Sequence, residues 1–339
     1  MFRSRRARLV RRLWRQRCAA AAGPDDGPNA LKLAAHSLFK KLKDEELEVL
    51  VQAVESRGAW ESGCVWAPRG AKQAVAPQLL LCRLYRWPDL RQPHELKNLC
   101  CCTGGRGGGG DTAALCCNPH HFSRLAAPET PPPPYSKSSW LDEPPNPQLL
   151  EFGYNSGDQR GERLSSDTSR SAMKDGYWCK LAYWEYRTRV GRLYAVHEAS
   201  VNIFGELPRG NGFCLGQLPA PHRSRAVRRV RGKIGRGLLL SREVGGVWVY
   251  NRSEHPIFIS SPTLAPPGAV AVLKVMPGYS AKVFDYEQVG GSGGRGFFGD
   301  GPCDPHSVRI SFAKGWGPSY SRRFITSCPC WLEVLLNRP

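Results

Sequence analysis

The chain has no run of about 18 apolar residues, the length a membrane-spanning helix needs. Its opening segment, MFRSRRARLVRRLWRQR, holds no apolar core of the kind a secretory signal carries. These absences predict a protein of nucleus and cytoplasm with no membrane insertion. Acid is scarce: 29 Asp and Glu face 48 Lys and Arg, a net charge of +19. A surplus of that size points to anionic partners such as nucleic acid or phosphorylated protein. No GxSxG elbow, P-loop, HExxH or strand–helix GxGxxG is present, so no enzyme is expected. Thirteen cysteines, an odd number, in a chain without an export signal favour reduced thiols or metal over a disulfide framework.

Length and composition are otherwise ordinary. The 339 residues suggest about two domains, and 41% hydrophobic with 23% charged residues excludes wholesale disorder. Residues 1–29 read as a basic arm and linker, with eight arginines and no acid before Cys18. A first domain spans 30–125. Leu31, Ala34, Leu38 and Leu42 predict one helix and Leu47, Leu50, Val51 and Val54 a second, with Asp44 as its N-cap. Cys64–Trp66 and QLLLCRLY at 78–85 read as short strands, and Pro93 opens a short helix. Residues 126–175 form a linker too poor in apolar residues to offset the entropy of ordering it. From 176 to 339 the period changes to two. Some nine strands, with one helix near the start and one at the end, predict a β-sandwich.

Four constellations carry chemistry. Cys64, Cys102, Cys116 and His121 suit a structural Cys3His zinc site, and buried reduced thiols are an equal alternative on spacing alone. Pro132, Pro133, Pro134 and Tyr135 form a PPxY segment whose preformed polyproline II helix suits a WW-domain groove. In SRAVRRVRGKIGRG, Val227, Val230 and Ile234 face a core. Arg225, Arg229 and Lys233 form an exposed stripe flanked by Arg228, Arg231 and Arg236. Guanidinium groups there would pair bidentately with phosphate. Finally, Lys314-Gly315-Trp316-Gly317, with Arg322 and Arg323 nearby, reads as a loop presenting an aromatic for recognition.

LCRLYRWPDLRQPHELKNLC with CCNPHHFSRL resembles the N-terminal Mad-homology domain of the Smad family. YWCKLAYWEYRTRVGRLYAV, GFCLGQL and VRISFAKGWGPSYSRRFITSCPCWLE resemble its C-terminal domain. The arginine-rich start and PPPPYS are similar to the inhibitory subgroup, and the C-terminal wording to its branch acting on bone morphogenetic protein signals. The resemblance implies an α+β, multi-domain architecture: a small helical zinc-binding domain, then a β-sandwich with flanking helices. It implies one structural Zn2+ on Cys64, Cys102, Cys116 and His121. It implies recruitment of HECT-type ubiquitin ligases through Pro132–Tyr135. A surface of Arg229, Lys233, Lys314, Trp316 and Arg322 would meet activated type I receptors and signalling or common-mediator Smads, antagonising transforming growth factor-β and bone morphogenetic protein signalling.

Two departures from the family matter. The sequence ends in CWLEVLLNRP, without the Ser-Ser-x-Ser tail of signal-transmitting members, so the receptor kinase is not expected to switch it on. The segment matching the family's DNA hairpin is short, and Arg69, Lys72 and Gln73 are its remaining candidate DNA contacts. The competing reading is a DNA-binding repressor that recruits transcriptional co-repressors. A nuclease built on His120 or His121 is disfavoured, because four protein ligands leave a metal no open position.

Overall fold

The computed structural model describes residues 5–18, 28–58, 62–68, 75–103, 114–126, 176–206, 211–220, 222–264, 271–288, 297–298, 301–302 and 304–337. The basic start is a helix of the first domain, not a free arm. In α1 (Arg5–Arg15), Leu9 and Leu13 point inward against α3 (Asp44–Glu55). The acids of α3 meet the arginines of α1: Arg5 pairs with Glu48, Arg6 with Asp44, and Arg12 with Glu55 at 2.6 Å. Arg6 also donates to the carbonyls of Phe39, Lys40 and Leu42 at 2.6, 3.0 and 2.7 Å. Phe39 and Lys40 lie in the last turn of α2 (Pro28–Lys41), whose final carbonyls lack partners within the helix, and Leu42 directly follows it. α3 follows its predicted periodicity, but it starts at Asp44 with Lys43 as N-cap and no side-chain cap.

QLLLCRLY is a helix rather than a strand: α4 (Pro77–Tyr85) has Pro at its first turn, where the missing N–H costs nothing. Leu80, Leu81 and Leu84 enter one core while Leu79 and Cys82 enter a second, beside Trp87 and Leu90. Burial on both sides leaves no polar face to reveal the helical period. The strands of this domain are short: β1 (Trp66–Pro68), β2 (Leu96–Asn98), β3 (Ala114–Cys116) and β4 (Phe122–Leu125). The helix expected from Pro93 is one 3-10 turn, Pro93–Glu95, running into β2.

The second domain is the expected sandwich. One sheet has the order β12-β11-β16-β17-β5-β6, from β5 (Cys179–Glu185), β6 (Thr188–Val196), β11 (Ile257–Ser260), β12 (Leu273–Val275), β16 (Ser307–Phe312) and β17 (Trp331–Leu336). The facing sheet holds β7 (Ser200–Phe204), β8 (Gly212–Cys214), β9 (Leu238–Glu243), β10 (Gly246–Asn251) and β13 (Tyr279–Asp285). Cys179, Leu181 and Tyr183 point inward at the strand period and meet Leu240, Val249 and Val283 in one core. A small pair, β14 (Phe297–Phe298) with β15 (Gly301–Pro302), lies apart. The single α-helix among this domain's described residues, α5 (Arg225–Arg231), sits mid-chain, and the end is the strand β17 rather than a helix.

The two domains share a sheet. β4 pairs in parallel with β13, Arg124 opposite Tyr279 and Leu125 opposite Ser280, so the order is β2-β4-β13-β10-β9-β7-β8. Lys97 reinforces the seam at 2.7 Å from Glu243 and over the ring of Trp248, and Arg86 donates to Tyr250 Oη at 3.0 Å.

Candidate functional site

The first candidate is a metal centre. β1 pairs with β3 so that Trp66 lies opposite Cys116, and Cys117 N–H donates to Val65 O at 2.8 Å. This draws Cys116 beside Cys64, which precedes β1. Cys102 follows β2, and His121 lies in the 3-10 turn Pro119–His121. One ligand atom from each of these four residues lies within 4.8 Å of every other. Cys102, Cys116 and His121 are buried.

The neighbours set the orientation. His121 Nε2 faces Ser62 O at 2.8 Å, an acceptor that fixes Nε2 as the protonated nitrogen. The bare Nδ1 is then left 3.5 Å from Cys64 Sγ and 3.6 Å from Cys116 Sγ. Asn118 Nδ2 donates to Ser62 Oγ at 2.9 Å and Gly63 O at 2.8 Å, tying the histidine turn to the loop that carries Cys64. Sequence reasoning found the Asn118-Pro119 turn but missed this role; the signal was an Asn in the turn that carries a ligand, where side chains that fix the ligand's position by hydrogen bonds belong. Contact with the Cys102 thiol, followed by burial, pushes the Cys116 thiol up. Three crowded thiols resist ionising together, and a dication in their midst reverses that preference. Tetrahedral zinc with bonds of about 2.3 Å needs sulfurs about 3.8 Å apart. The cluster fits one metal ion. Cys100, Cys101 and Cys117 stand outside it, Cys117 fully buried in the helical core.

The second candidate is a cationic face on the sandwich. Ser224 Oγ caps α5 by accepting from Val227 N–H at 3.2 Å, and Val227, Val230 and Ile234 are buried as their spacing predicts. That aims Arg229 and Lys233 outward toward the loop after β16. Burial, and then the charges of Arg322, Lys233 and Arg229, hold the Lys314 ammonium below its ordinary range. The charges that lower Lys314 come from three other cations, so the fold gathers Arg229, Lys233, Lys314 and Arg322, none of which makes an ion pair among the described residues.

Not every expected cation belongs to this face. Arg231 turns inward to Glu185 at 3.2 Å and donates to Leu215 O at 2.8 Å, because the buried carboxylate, also 2.8 Å from Arg223, needs its charge. Arg236 leaves the stripe and donates to Arg57 O across the domain seam at 3.1 Å. Trp316 does not present its ring. It is 4% exposed and packs with Phe258, Ile325 and Trp331. Gly315 makes room for Tyr320, whose ring would lie 2.5 Å from a Cβ there. The tryptophan anchors its loop from inside and leaves Lys314 and Arg322 as its outward charges. The WW-ligand residues Pro132, Pro133, Pro134 and Tyr135, and the candidate DNA contacts Arg69, Lys72 and Gln73, lie outside the described residues.

A helical domain with a Cys3His cluster, joined to a sandwich with a basic helix, defines a two-domain Mad-homology protein. The MH1 domain family matches residues 31–126 and the MH2 domain family residues 176–337. The chain is 54% identical over 325 residues to Mothers against decapentaplegic homolog 6 of Gallus gallus, covering 91% of this chain and 75% of that one. It is 46% identical over 333 residues to homolog 7 of Homo sapiens, covering 91% and 78%. The crystal structure of the interferon regulatory factor 9 IAD domain matches with a TM-score of 0.35 at 17% identity, over 48% of this chain and 84% of that one. The chain belongs to the Smad family, and within it to the inhibitory members that act in transforming growth factor-β and bone morphogenetic protein signalling. No helix among the described residues is long and apolar enough to cross a membrane.

Proposed function

We propose that the protein is a non-enzymatic adaptor that silences an activated receptor by occupying it. The cationic face of the second domain grips the phosphorylated segment of an activated type I serine/threonine kinase receptor, and in the same way phosphorylated signalling Smads or their common-mediator complexes. The PPxY segment Pro132–Tyr135 brings a WW-domain HECT ubiquitin ligase to the complex. Zinc on Cys64, Cys102, Cys116 and His121 is structural, since four protein ligands leave it no open position. The protein works in both cytoplasm and nucleus.

The observation that carries this reading is the gathering of Arg229, Lys233, Lys314 and Arg322, none of them ion-paired among the described residues. Such a surface favours a ligand carrying several negative charges. The test is binding of a receptor juxtamembrane peptide with and without phosphate. The phosphorylated peptide binds, and Arg229→Glu with Lys233→Glu weakens it at least about tenfold, the loss of one or two charge-assisted hydrogen bonds. Equal affinity for the unphosphorylated peptide refutes charge reading.

A further inference from the structure

A second concentration of positive charge lies between the domains. The seam encloses a cleft of about 970 Å³ whose lining includes Arg17, Arg57 and Arg86 from the first domain and Arg236 and Arg252 from the second. Glu198 is the one carboxylate in the described lining. None of the five guanidinium groups makes an ion pair among the described residues. Their partners are neutral. Arg17 donates to Trp14 O at 2.7 Å, Arg236 to Arg57 O at 3.1 Å, and Arg252 to Asn202 Oδ1 at 2.7 Å. Arg86 donates to Pro119 O and Phe122 O and to Tyr250 Oη. A guanidinium has five N–H groups, so most of these donors remain available.

The cations act on a common space. Arg57 and Arg86 line it from the first domain and Arg236 and Arg252 from the second. Bringing these like charges together opposes closure of the seam, yet the seam is closed by β4–β13 pairing. A ligand carrying several negative charges would convert that repulsion into attraction across the seam. The volume lies at the upper end for small-molecule sites.

We propose that this cleft binds a compact polyphosphate anion, gripped by Arg57, Arg236 and Arg252, and that its occupancy holds the two domains together. The same phosphate chemistry occurs on soluble polyphosphates and on phosphoinositide lipid headgroups. A half-enclosed space lined from two domains favours the soluble form.

The test uses the full chain and inositol hexakisphosphate as probe, in calorimetric titration at constant ionic strength. The cleft variant combines Arg57→Asn with Arg252→Gln; Arg57 has φ of +50°, a conformation that asparagine tolerates. A face control combines Arg229→Gln with Lys233→Gln. The cleft variant is expected to weaken the probe at least tenfold and the face control less than twofold. Two amides that bridge the domains give a second readout, Arg124 N–H to Gly278 O at 3.2 Å and Ala126 N–H to Ser280 O at 2.8 Å. Their hydrogen exchange should slow when the probe binds wild type and stay unchanged in the cleft variant. Arg57→Asn alone, the milder change, should fall between. The proposal is overturned if the affinity merely tracks ionic strength, if the face control rather than the cleft variant loses it, or if binding brings no amide protection. Capture of vesicles containing phosphatidylinositol bisphosphate, with no response to the free probe, overturns it as well.

Discussion

Thirty buried residues of the second domain form one large core between two sheets, with a satellite of five around Trp316, whereas the described core of the first domain is a cluster of seventeen with one of five. The strands explain the difference. The sandwich strands run up to nine residues and neighbour one another in long ladders, while those of the first domain span three or four. A domain with so little continuous core has reason to draw folding energy from a metal. The comparison therefore separates a domain with a large apolar core from one whose Cys3His cluster offers a metal's binding energy as a second source of stability.

Metal removal breaks that comparison most sharply. Structural zinc contributes on the order of 10 kcal/mol of apparent binding free energy in small domains. Cys116→Ser, or a strong chelator, is expected to unfold the first domain while the sandwich keeps its own transition. Hydrogen exchange resolved along the chain reads this directly: residues 31–126 lose protection and the amides of β5, β16 and β17 keep theirs. Loss of protection in both domains together would mean that the shared sheet, not the metal, sets the unit of folding.

Much of this architecture was legible in the sequence, for reasons that differ by element. The sandwich strands are legible through their two-residue period: Cys179, Leu181 and Tyr183 face the core between the sheets, while Lys180 and Trp184 on the other side are partly exposed and the small Ala182 is buried. α3 is legible because it has one buried face. α4 is not, since it is wrapped by two clusters and its apolar run has no period to read. α1 is helical because acids from α3 neutralise its arginines, information that lies forty residues away. The grouping of Cys64, Cys102, Cys116 and His121 came from family resemblance; spacing alone left buried thiols as an equal reading. The inward turn of Arg231 depends on the distant carboxylate of Glu185, so the stripe looked longer than it is. The parallel pairing of β4 with β13 joins strands on either side of a fifty-residue linker segment, and no local pattern encodes it.

An intermediate effect is expected at Glu185, where the second domain does depend on charge. Its carboxylate is 9% exposed and holds both Arg223 and Arg231. These arginines in turn fasten the carbonyls of Leu218 and Leu215, and so the segment leading into α5. Glu185→Ala leaves two largely buried cations unpaired, a loss of roughly 3–5 kcal/mol. Calorimetry should show the sandwich transition falling with metal content unchanged. An unchanged midpoint would mean that apolar area alone carries the domain.

Acid should separate the two domains by the smallest margin. In the first, the hydrogen bond from Arg124 holds Asp89 below the usual carboxylate range. For Glu95 burial acts upward, but the amides of Gln92 and Arg91 and the Arg124 guanidinium outweigh it, and the group ends below its ordinary value. Stability from a depressed carboxyl is present above its unfolded value, about 4, and is lost as pH falls through the folded one. In the second domain, burial raises Glu333 despite Arg309 at 3.9 Å and the contact with Trp184. A raised carboxyl makes the folded state the better proton binder, so acidification from its raised value toward about 4.5 adds stability. In the same domain the Lys282 hydrogen bond holds Asp285 below the usual carboxylate range, so Glu333 offsets a loss there, and between pH 7 and 4 the sandwich midpoint should fall less than that of the first domain. The fall is steepened because metal ligands must shed protons to bind. Glu333→Gln removes that offset, an effect of a few tenths of a kcal/mol once solvent screening is allowed for. Parallel decline of both midpoints, indifferent to Glu333→Gln, would show that the shared sheet couples the domains too tightly for their charges to be read separately.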